Sequence, residues 1–97
     1  MALSVLEDEC SVDTVAGTIV LTTDETDSTK AFPELEGMAA RNLAIQTASS
    51  MGLPDPRISG NVDVFMVDAA GDPVAGTISK RKKFTFRAAI PVTKRLA

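Results

Sequence analysis

The densest run of ionisable side chains is Lys80-Arg81-Lys82-Lys83, followed by Arg87, Lys94 and Arg95. Cations grouped in this way can neutralise phosphates, and Phe84 or Phe86 among them could stack on bases, which is the nucleic-acid reading of the segment. The same cations can instead meet an acidic protein surface, where complementary charge fixes register. They can also simply keep an edge strand from pairing. Asp24, Glu25 and Asp27 form an acidic cluster. It lacks the alternating ligands, central glycine and closing glutamate of a calcium loop, so a solvated loop and no metal site are expected. Asp63 and Asp68 fall on opposite faces of one strand pattern, so they do not converge as an acid–base pair.

Absent residue types narrow the chemistry further. The chain has no His, Trp or Tyr and a single cysteine. One chain therefore builds no Ser-His-Asp triad, Cys-His pair or His-ligated metal centre. Cys10 stands among Glu7, Asp8, Glu9 and Asp13, the wrong surroundings for a reactive thiolate, and is expected to be a small buried apolar residue. A lone cysteine suits a reducing compartment. No phosphate-cradling glycine loop with its lysine is present, and no dinucleotide fingerprint. The expectation is a protein that is not an enzyme, with no cofactor and no small-molecule substrate.

The 97 residues are expected to form one domain, 1–97, ending in a basic tail at 93–97. Hydrophobic residues at 44% and charged residues at 24% are globular rather than disordered proportions. No basic-then-apolar leader and no run long enough to cross a membrane is present, so a cytoplasmic location, or a virion assembled there, is expected. The net charge of −3 conceals a split. Residues 1–36 hold nine acids and one base, and residues 37–97 hold nine bases and four acids. Such polarity suggests complementary surfaces or a polyanionic partner.

Residues 3–7 read as a possible short strand, and the β-branched stretch 14–23 as a firm one. In the latter Ile19 and Leu21 form a core face, opposite a semi-polar face of Thr18, Val20 and Thr22. Gly17 is read as a bulge or a close approach. Residues 24–30 read as a loop. A single helix is expected from Pro33, at its first position, to about Met51, closed by left-handed Gly52, Leu53 and Pro54. Residues 52–60 read as a loop and 61–68 as a strand apolar on both sides, hence central. After a turn at Gly71-Asp72-Pro73, a long strand runs from about Thr77 to Val92. Lys82, Phe84, Phe86, Ala88 and Ile90 alternate with Lys83, Thr85, Arg87 and Ala89, and the Phe face is read as core. The expected fold is α+β: a small antiparallel sheet with one helix across it, ordered strand-helix-strand-strand, with a possible extra N-terminal strand.

At 100° per residue, Leu35, Met38, Ala39, Leu43 and Ile45 share one helix stripe, assigned to the sheet. Asn42 and Gln46 fall inside that stripe, so either they bond to buried backbone or the packed face is rotated. A second stripe holds Gly37, Ala40, Ala44, Ala48 and Met51 and is nearly uncharged, and its small members Gly37, Ala40, Ala44 and Ala48 allow close approach, as at a helix–helix contact. It is assigned to a homo-oligomer interface. A bulky charge at Ala44 would then break the oligomer and leave the subunit folded. The basic partner surface is assigned to Lys80, Arg81, Lys82, Lys83, Arg87, Lys94 and Arg95. Together these favour a self-associating structural subunit, for instance a minor capsid, decoration or tail protein. A nucleic-acid-binding module using the basic strand, or a regulatory subunit of a larger complex, are the alternatives.

Overall fold

Alternating apolar and polar residues fix the two longest strands, and everything else is arranged around them. The computed structural model describes residues 3–9, 15–68, 70, 72–74 and 84–94. Its elements are β1 (Leu3–Glu9), β2 (Ala16–Thr23), α1 (Ser28–Glu36), α2 (Met38–Ser50), β3 (Pro56–Ile58), β4 (Asp63–Val67) and β5 (Thr85–Lys94). The fold is α+β. All five strands pair antiparallel, in the order β1-β2-β5, with β3 and β4 end to end along the far side of β5. Both helices lie on one face of this sheet, α1 against β2, β4 and β5, and α2 against β1, β2, β3 and β5.

The covered face is the core. Ile19 and Leu21 of β2 stand beside Ile90 and Ala88 of β5, all fully buried with Phe86 and Val92. Phe86 is held edge-on by Phe32 of α1 (centroids 5.3 Å apart) and by Phe84 (6.3 Å). The expected alternation in β2 and β5 therefore holds. Pro91 sits inside central β5 without disrupting it. Its carbonyl accepts from Ser59 N–H, on the side where β4 has ended and β3 has not begun. The missing N–H faces that same gap, where no ladder bond is needed.

Several expectations are corrected. The helical region starts at Ser28, not Pro33, because the Asp27 carboxylate accepts from the backbone N–H and hydroxyl of Thr29. Pro33 is therefore interior to α1. There are two helices, interrupted at extended Gly37 (ψ 177°). A Cβ on Gly37 would stand 2.8 Å from the Pro33 carbonyl oxygen, so the interruption requires glycine for space. Gly37→Ala is expected to cost about 1–3 kcal/mol, as does other overpacking against backbone, read as a lowered urea midpoint. The end of α2 matches its signature: Gly52 has φ 96°, its N–H reaches Ser49 O, and Leu53 N–H reaches Ala48 O.

Residues 56–58, read as loop, form β3, whose Pro56 occupies the first strand position. β4 is not central, since β5 is its one strand partner in the described sheet. Its second apolar face is partly covered where the chain doubles back, with Asp68 accepting from the N–H groups of Ala70 and Asp72, and Val67 bridging Pro73. The bulge lies between Val5 and Glu7 of β1 rather than at Gly17. Cys10, the stretch from Thr77 to Lys83 and the end of the basic tail lie outside the described residues.

Candidate functional site: the open face of the sheet

The helices cover one face of the sheet; on the other face, no helix or further sheet packs among the described residues. Strand registers define what this open face presents. One row runs Ser4, Thr22, Arg87, Phe65 from β1 to β4. The next runs Glu7, Val20, Ala89, Asp63. Then come Glu9, Thr18 and Pro91, and finally Ala16, Thr93 and Arg57.

The centre of the face is half-buried and mostly apolar or threonine: Val20, Ala89, Pro91 and Phe65, with Thr18 and Thr22. Thr22 satisfies its hydroxyl by donating to the Phe86 carbonyl at 3.0 Å. Thr93 Oγ1 is buried without a hydrogen-bond partner. Arg87 stands half-buried near the middle, and neither it nor exposed Arg57 bonds or pairs with a described side chain.

The bulge in β1 decides where the acids go. In an unbroken strand Leu3, Val5, Glu7 and Glu9 would share one face. With Leu6 left over, Leu3 and Val5 still pack inward against the core, whereas Glu7 and Glu9 move to the open face. The face thus has two carboxylates along its β1 margin, while Arg57 and Asp63 lie along the opposite margin, Arg57 level with Thr93 and Asp63 level with Ala89.

The residues singled out from sequence do not form one site. Ala40, Ala44 and Ala48 are fully buried, so the small stripe lies against the sheet of its own chain and cannot be the oligomer interface assigned to it. Gly37 is half-buried at the helix junction. The stripe assigned to the sheet is turned away in part: Met38 is 69% exposed and Ala39 is exposed, with Leu43 and Ile45 half-buried at the flanks. Asn42 and Gln46 are exposed, so the rotated face is the answer to their placement.

Of the basic surface, Lys80, Arg81, Lys82, Lys83 and Arg95 lie outside the described residues. Arg87 points to the open face, and Lys94 has the parity of buried Val92, so these two do not share a surface. Asp27 serves as a helix cap, and no group of three potential metal ligands occurs among the described residues.

Six members of the open face, Thr18, Val20, Thr22, Arg87, Ala89 and Phe65, carried a usable signal in their alternation. The alternation in 61–68 already places Phe65 opposite Val64 and Met66. The placement of Glu7 and Glu9 depends on the bulge, and that of Arg57 on pairing with distant β5, so neither has a local signal. The chain matches no protein-family model, no curated protein and no solved structure.

Proposed function

We propose that this protein is a non-enzymatic structural subunit that associates with copies of itself through the open face of its sheet. One observation carries the reading: the helices cover one sheet face only, and the centre of the other carries Val20, Ala89, Pro91 and Phe65. A solvated face of an antiparallel sheet places polar residues at its outward positions. Here four of the five charged residues, Glu7, Glu9, Arg57 and Asp63, lie on the outer strands, while the centre mixes apolar residues with threonines and Arg87, as in an interface with a charged rim.

The sheet edges are poor alternatives. β1 ends in Glu7-Asp8-Glu9 and is bulged at Leu6, while the far edge is divided between two short strands and begins with Pro56. Charges, bulges and prolines of this kind oppose edge-to-edge pairing.

Light scattering across a concentration series, at low and high salt, tests the reading. The expected result is a mass above that of the 10.2 kDa monomer. A monomer at every concentration removes it. Oligonucleotide binding by a chain that stays monomeric would instead favour the nucleic-acid reading of the basic segment.

A further inference from the structure

We draw no further inference here: the strongest candidate, the acidic loop of Asp24, Glu25 and Asp27, whose Thr26 carbonyl accepts from the Phe84 N–H at the end of the basic run, rests on Lys80, Arg81, Lys82 and Lys83, which lie outside the described residues.

Discussion

Replacing Ala44 with lysine is expected to unfold the chain at room temperature, whereas lysine at Ala39, five positions earlier, is expected to change stability by less than about 0.5 kcal/mol. Ala44 is fully buried in the middle of the line Ala40, Ala44, Ala48 along which α2 lies on the sheet. A lysine there must displace neighbours, at about 1–3 kcal/mol. It must also bring an ammonium into an apolar site at a cost of several kcal/mol, with no counter-ion in place. A domain of this size holds roughly 5–15 kcal/mol in all, so the two terms together consume most of it. Ala39 is exposed on the same helix and loses nothing of the kind. Thermal melts followed by circular dichroism separate the cases. Equal melting of the two variants would show that the wrong helix face has been placed on the sheet. The expectation from sequence that a charge at Ala44 leaves the subunit folded is thereby reversed.

The second large effect is at Phe86. Phe86→Ala is expected to cost about 3–5 kcal/mol, at the upper end for a core aromatic, with the urea midpoint falling and the slope unchanged. The side chain is fully buried where β5 passes beneath α1. Its removal opens a cavity and also removes the edge-on contacts with Phe32 (63° between rings) and Phe84 (84°). Contacts of this geometry contribute about 0.5–1.5 kcal/mol each beyond buried area. Phe86→Leu keeps most of the volume and is expected to lose less than half as much. A loss below about 1 kcal/mol for Phe86→Ala would mean that the three phenylalanines do not form a common packed cluster.

Much of the fold is legible in the sequence wherever local pattern and tertiary burial agree. β2 and β5 alternate over eight and ten residues, and each alternation matches one buried face. The closing turn of α2 is equally local, because Gly52, Leu53 and Pro54 act through backbone geometry alone. The start of α1 was within reach: an Asp two residues before Thr29 is an N-cap signal, but Pro33 offered a competing start.

The face of α2 was illegible for a different reason. Hydropathy favours Met38, Leu43 and Ile45 as the core stripe, whereas a helix lying close to a sheet needs its smallest residues along the contact line. Bulk belongs at the flanks, where Leu43 and Ile45 are half-buried. The open face was half legible. Thr18, Val20, Thr22 and Arg87 follow from alternation, but Glu7, Glu9 and Arg57 depend on a bulge and on long-range pairing.

The central place of β5 also sets an order of events. It is the common partner of β2, β3 and β4, yet it comes last in the chain among these elements. During synthesis the β1–β2 hairpin and the two helices can form from neighbouring residues, but no sheet core exists until residues 85–94 arrive. Until then Ile19, Leu21 and Met66 have no β5 side chains to pack against, and β3 and β4 have no ladder to join. Such non-local closure is slow and leaves apolar strands waiting in solution. For this chain the acids of β1 and the tight turn at Asp68 therefore have work before the fold exists. Glu7, Asp8 and Glu9 put like charges on the exposed strand, which opposes pairing between waiting chains, and the Asp68 bonds to the N–H groups of Ala70 and Asp72 are local and need no β5.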